Sequence, residues 1–317
     1  MWEKKGLLYD VGTVNIDQIR SHASIPFAYP IKNDTFRIYF SSRDKYSKSY
    51  PYYIDALVRE GKIQLIGETK GPLMELGQLG TFDDSGIMPS CFGKMGDKIF
   101  MYYIGWNPQT TVSYRLSIGL AVSTDNGSSF SRYSQGPICD RCMEEPYFNT
   151  APFVMLDDNL WKMWYVSCTG WQMIENHPEP SYHIKYAESE DGIHWHRIGE
   201  VCLDYDDRAK AFGRPSVIRN GDKLRMYFSY RDIENYRESP FHGYKIGLAE
   251  SIDGKIWTKE YEKTGISLSS EGWDSQMIGY CHVFRHQNFE YMLYNGNSFG
   301  KEGFGYAVKE AELNNGK

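Results

Sequence analysis

The chain has 317 residues and a formal net charge of −6, which argues against a nucleic-acid binder, since these carry a basic face or stripe. No stretch approaches the roughly 20 apolar residues of a membrane span. Aromatics make up 15% of the chain, and 30 Gly and 13 Pro accompany them, a composition suited to many short strands joined by tight turns.

In chain order, the N-terminal Trp2-Glu3-Lys4-Lys5-Gly6-Leu7-Leu8 reads as a strand and lacks the long apolar segment of a secretory signal. A unit that then repeats opens with an apolar run, seen at Ser24-Ile25-Pro26, Met88-Pro89, Ala151-Pro152, Arg214-Pro215 and Met277-Ile278. Pro26, Pro89, Pro152 and Pro215 are 63 residues apart, and the next step lands on Ile278. An aromatic run follows each: Arg37-Ile38-Tyr39-Phe40, Phe100-Met101-Tyr102-Tyr103, Lys162-Met163-Trp164-Tyr165, Arg225-Met226-Tyr227-Phe228 and Tyr291-Met292-Leu293-Tyr294. Turn formers such as Asn33-Asp34, Gly96-Asp97 and Asn220-Gly221-Asp222 separate the two runs, as in a β-hairpin. A third strand ends in an Asp-Gly turn at Ser123 to Gly127, Ser189 to Gly192 and Ser251 to Gly254, with Phe130, Trp195 or Trp257 behind it. Asp125, Asp191 and Asp253 recur with the repeat and are therefore expected to form turns.

Four strands per unit and about five units predict an all-β, five-bladed β-propeller of four-stranded antiparallel blades. The blades fall at roughly 20–70, 83–135, 146–200, 210–262 and 273–312, within one domain spanning 1–317. The fifth unit runs out after its third strand. Trp2-Glu3-Lys4 matches Trp195-His196-Arg197 and Trp257-Thr258-Lys259, so residues 2–9 are expected to close the last blade and leave no free edge. Cys139 and Cys142 form a CxxC with no second pair, which does not make a metal site. No metal or organic cofactor is signalled, and six Cys in a chain this long fit reduced thiols and a cytoplasmic setting.

In a blade, the residues entering the first strand and those leaving the second share one face of the disc. Entering the first strands are Arg20, His22, Asp83, Asp84, Asn149, Arg214, Asp274 and Gln276. Leaving the second are Arg43, Asp44, Trp106, Asn107, Trp171, Arg231, Asp232 and Asn297. Flat aromatic faces stack on sugar rings, amides and carboxylates bridge hydroxyls, and arginine forks match carboxylates and phosphates. The expected ligand is a carbohydrate carrying an anionic group. Asp84 and Asp274, with Asp83, are the candidate catalytic carboxylates, while Glu144 and Glu145 could reach over from a loop. The other residues of the two groups are candidate ligand contacts. Arg43–Asp44 and Arg231–Asp232 are also candidate internal ion pairs.

The proline-anchored first strand, the Met/Tyr-rich second strand and the Ala-Glu-Ser-x-Asp-Gly turn resemble the five-bladed propeller glycosidase superfamily, which includes glycoside hydrolase families 43, 32 and 130. The resemblance implies an enzyme that cleaves or transfers a glycosidic bond in a pocket at one end of the channel. A non-catalytic sugar-binding propeller and a glycosyl- or sugar-nucleotide-transferring enzyme are the alternatives. The sequence departs from family 43 at its catalytic positions. Ile25 stands where an Asp precedes the first Pro, Thr150-Ala151 where the acidic Glu is expected, and Arg214 where an Asp-Pro pair is expected.

Overall fold

The computed structural model describes residues 1–234, 236–237 and 242–312. Its strands pair as five antiparallel sets of four. Strand β1 (Glu3–Asp10) stands apart at the N-terminus. The first set is β2 (Ser21–Lys32), β3 (Thr35–Arg43), β4 (Ser49–Arg59) and β5 (Lys62–Lys70), and the second is β6 (Gly86–Met95), β7 (Lys98–Pro108), β8 (Tyr114–Ser123) and β9 (Ser131–Arg132). The third is β10 (Asn149–Asp157), β11 (Leu160–Ile174), β12 (His177–Ser189) and β13 (His196–Leu203). The fourth is β14 (Ala211–Asn220), β15 (Lys223–Arg231), β16 (Lys245–Ser251) and β17 (Thr258–Lys259). In the fifth, β18 (Gly279–His286), β19 (Phe289–Asn295) and β20 (Gly303–Glu310) are completed by β1, which pairs with β20. The first strands β2, β6, β10, β14 and β18 each touch the next, and β18 touches β2, so they close a ring.

The aromatic doublets explain the stacking. Side chains alternate across a strand, so adjacent residues of β3, β7, β11 and β15 face opposite neighbouring sets. Tyr39 and Phe40, Tyr102 and Tyr103, Trp164 and Tyr165, and Tyr227 and Phe228 are all at most 1% exposed. Burial on both faces requires two large apolar side chains in a row.

The Asp-Gly turns join one set to the next. In each, a serine hydroxyl donates to the Asp and accepts from the Gly amide: Ser123 with Asp125 and Gly127, Ser189 with Asp191 and Gly192, Ser251 with Asp253 and Gly254. The turn glycine carbonyl then accepts from a second-strand aromatic of the preceding set. Tyr39 Oη reaches Gly127 at 3.0 Å, Tyr102 Oη reaches Gly192 at 2.7 Å and Trp164 Nε1 reaches Gly254 at 2.7 Å. The repeated motif is thus a joint between sets.

The proline repeat is out of structural register. Every first strand has a bulge in which two residues oppose one on the second strand, a device that bends the strand. Pro26, Pro152 and Pro215 take the second bulge place, opposite Phe40, Tyr165 and Phe228. Pro89 pairs with Tyr103 and takes the first place, and Cys281, not Ile278, takes the second place in β18. The first places are Ile25, Pro89, Ala151, Arg214 and Tyr280. Ile25, Ala151, Arg214 and Tyr280 have φ of 58°, 46°, 25° and 53°, values that non-glycine residues seldom adopt. A proline cannot adopt them.

Among the described residues no helix is long and apolar enough to cross a membrane.

Candidate functional site

The ring of bulges forms the floor of a cavity of about 440 Å³. Ser24, Ile25, Met88, Thr150, Ala151, Gly213, Arg214 and Tyr280 supply that floor. Strained backbone tends to cluster where a structure holds ligands or does chemistry, and four of the five first bulge places here have positive φ. The walls come from Trp106 at the end of β7, Tyr114 at the start of β8, Tyr182 in β12, and Tyr236, Tyr244 and Phe299 from connections. Burial pushes Tyr114 up to about 12 and holds Tyr182 and Tyr280 well above the usual phenol value. These hydroxyls are therefore neutral at physiological pH and available as donors. Tyr114 and Tyr182 hydroxyls lie 3.0 Å apart. The Thr150 hydroxyl is buried and has no hydrogen-bond partner among the described residues.

The electrostatics are one-sided. Arg43, Arg214, Arg237 and His177 line the cavity, and no Asp or Glu does so among the described residues. Arg214 is 2% exposed and donates to the carbonyls of Pro26 at 3.0 Å, Ser90 at 3.1 Å and Tyr280 at 2.6 Å. Desolvation pushes it down to about 10, so it keeps its charge at neutral pH with no carboxylate beside it. Arg43 is also lowered by burial and forms no ion pair among the described residues. Buried charges without counterions are costly, and an anionic ligand would relieve that cost. Arg237 differs, because Glu179 binds it at 2.7 Å.

Arg231 lies behind the wall. Its guanidinium carbon sits 3.5 Å from the Tyr236 ring centroid and 5.3 Å from that of Tyr244. It donates to the backbone carbonyls of Asp232 and Pro180. The expected Arg231–Asp232 and Arg43–Asp44 ion pairs do not form: the Asp232 carboxylate accepts from the Ile233 amide, and Asp44 caps its own loop through Tyr46 and Lys48 amides.

Arg43, Trp106 and Arg214 are the sequence-expected residues that reach the cavity. The candidate catalytic carboxylates do not line it. Asp83 is fully buried, accepting from Tyr103 Oη at 2.9 Å and Arg132 Nε at 2.8 Å. Asp274 is bound by Tyr294 Oη at 2.9 Å and Lys4 Nζ at 2.7 Å. Glu145 repeats the arrangement with Tyr165 Oη at 2.7 Å, Arg197 at 3.0 Å and the Asn149 amide. In each clamp an outer-strand cation and a second-strand tyrosine fix a loop carboxylate under the sheet. Asp84 caps the turn at Gly80 and Ser85. Asn107 donates to the Thr81 carbonyl, while Asn297 accepts from the backbone amides of Gln276 and Met277. Trp171 packs on Tyr114 and Phe148. Gln276 is exposed, and so is Arg20, which pairs with Asp17. His22, at φ 65°, bonds Ser21 Oγ.

Tyr114, His177, Glu179, Tyr182 and Tyr244 were not read from the sequence. They lie at the start of third strands, or just before one. In antiparallel sets that end shares a face with the end of the second strand, so the same topological rule extended by one strand would have found them.

No family model matches the chain. Two proteins of Mycobacterium tuberculosis, one from strain CDC 1551 / Oshkosh and one from strain ATCC 25618 / H37Rv, both described as uncharacterized, are each 36% identical to it over 312 residues. The match covers 98% of this chain and 99% of theirs. Among solved structures, BT0996 in complex with RGII has a TM-score of 0.74 at 16% identity, over 98% of this chain and 93% of that one. A thermostable family-43 glycoside hydrolase gives 0.64 at 15%, over 94% and 92%. The family 32 β-fructofuranosidase of Bombyx mori gives 0.62 at 13%, over 93% and 62%. The positions where family 43 carboxylates are expected, at Ile25, Thr150-Ala151 and Arg214, all face the cavity and none is acidic. The chain belongs to one family with the two mycobacterial proteins, and its fold is that of the propeller glycosidases.

Proposed function

We propose that this protein is a carbohydrate-active enzyme whose five four-stranded sets are the blades of a single propeller domain, and that it holds an acidic or phosphorylated sugar in the cavity at one end of the ring. The observation that carries this is the pairing of Arg43 and Arg214, both without carboxylate partners among the described residues, with a wall of neutral tyrosines and Trp106. Arginine forks suit phosphate and carboxylate oxygens, and aromatic faces suit sugar rings. The six cysteines are unpaired, which is consistent with a reducing compartment.

Hydrolysis of an ordinary glycoside uses two carboxylates, one to protonate a poor leaving group and one as base or nucleophile. A glycosyl phosphate needs less, because its leaving group departs as an anion that arginines stabilise. Transfer from, or phosphorolysis to, a glycosyl phosphate is thus the chemistry this lining favours. The lack of cavity carboxylates also favours a second reading, a sugar-binding propeller without turnover. Calorimetric titration with α-D-glucose 1-phosphate, UDP-glucose, glucuronate and glucose tests both readings. Binding of the anionic probes with glucose bound at least about tenfold more weakly supports the proposal. Equal binding of glucose contradicts it. Turnover of a bound sugar phosphate excludes the pure binding module.

A further inference from the structure

The cavity lacks carboxylates, but it does not lack a base. The hairpin of β11 and β12 is built from the two longest strands described, 15 and 13 residues. It turns on Glu175 and Asn176, both at positive φ, the backbone of a tight hairpin. The extra length carries His177, the first residue of β12, to the cavity mouth. His177 lines both the cavity and an adjoining recess of about 180 Å³ that Glu179 shares.

Glu179 is 4% exposed. It accepts from Tyr236 Oη at 2.6 Å and from Arg237 Nε at 2.7 Å. Burial would push its carboxyl up, but these bonds outweigh it and hold the group below its usual value. Its Oε1 lies 2.8 Å from His177 Nδ1. A carboxylate there takes the Nδ1 proton and leaves the Nε2 lone pair free. Nε2 in turn lies 3.5 Å from Ser113 Oγ, another cavity residue, so a hydroxyl can stand within reach of it.

We propose that His177, oriented by Glu179, is the general base of the cavity. This rests on the reading of the site as one for a glycosyl phosphate. In the step, Nε2 takes the proton of an acceptor hydroxyl or water. The oxygen's electron pair forms the bond to the anomeric carbon as the bond from that carbon to the phosphate oxygen breaks. The phosphate leaves with that pair, and the imidazolium returns its proton to the phosphate. One base suffices because the leaving group needs no prior protonation. Glu179 is a positioning residue that sets the tautomer.

The test uses the full chain with α-D-glucose 1-phosphate and α-D-mannose 1-phosphate, following release of inorganic phosphate, and ¹⁵N spectra of the histidine rings. His177→Gln is expected to lower release at least about 100-fold while inorganic phosphate binds within about twofold of wild type. Glu179→Gln is expected to move the ring proton from Nδ1 towards Nε2, and release should fall with it. Where neither sugar phosphate is turned over, the spectra decide: the wild-type His177 ring should carry its proton on Nδ1, and its Nε2 signal should shift as inorganic phosphate saturates the cavity. A His177→Gln variant that keeps its rate, a wild-type ring protonated at Nε2, or a signal indifferent to bound phosphate overturns the assignment of His177 and leaves the anion site standing. Failure of phosphate to bind at all removes the anion site, and the assignment with it.

Discussion

Arg214 Nη1 lies 2.6 Å from the carbonyl oxygen of Tyr280, joining β14 to β18 at the floor of the cavity. The same guanidinium reaches Pro26 in β2 and Ser90 in β6. One side chain therefore ties four of the five first strands together, and its charge faces the space where a ligand would sit.

Replacing Arg214 by Met should remove three hydrogen bonds and leave buried carbonyls without donors. Each orphaned acceptor costs about 1–3 kcal/mol, partly recovered because a buried cation is also removed. A net loss of about 2–4 kcal/mol in urea unfolding is expected. Arg214→Lys, which can keep only part of the fork geometry, should fall between wild type and Met. A Met variant as stable as wild type would show that the ring does not depend on this contact.

Asp83→Asn and Asp274→Asn should act on stability. Each removes the charge from a buried ion pair with Arg132 or Lys4 while keeping a side chain for Tyr103 or Tyr294 to bond. Breaking such a pair costs about 3–5 kcal/mol when the partner stays buried, and less here because Lys4 and Arg132 are partly exposed. A loss of about 2 kcal/mol, with affinity for a cavity ligand unchanged, is expected by denaturation and calorimetry. Loss of affinity with full stability would instead place these carboxylates in the site.

Much of the fold was legible and the clamps were not, for one physical reason. A repeat shows which residues are equivalent, but not which face of the sheet they serve. The Ser-Asp-Gly turns and the aromatic doublets recur because every blade joint needs them. Asp83, Glu145 and Asp274 recur too, each 20 residues before Tyr103, Tyr165 or Tyr294. That spacing was the available sign that they are structural, since a catalytic pair has no reason to repeat with the blades. Where the second-strand residue is Phe40 or Phe228, no hydroxyl is present and no such clamp forms. The bulges were hidden because two residues opposite one leave no trace in a proline spacing, as Pro89 shows.

His22 gives the molecule an acid sensitivity of definite sign. Burial first, then Arg43 and Lys301, lowers its ring from 6.5 to about 3. The unfolded ring binds a proton between those values and the folded ring does not. Stability from this group is therefore full above about pH 6.5 and falls as pH drops towards 3, by up to about 1.4 kcal/mol per unit. His22→Asn suits the φ of 65°, since Asn tolerates that conformation. Between pH 6.5 and 4.5 the variant should lose about 2 kcal/mol less than wild type in urea midpoints converted to free energy. Parallel pH profiles would contradict this.

The most direct measurement is a crystal structure of the protein soaked with α-D-glucose 1-phosphate. The phosphate is expected at the cavity floor within hydrogen-bond reach of Arg43 or Arg214, with the sugar ring against the tyrosine and Trp106 wall. Density at the opposite end of the ring, or a phosphate that avoids both arginines, would contradict the anionic-sugar site.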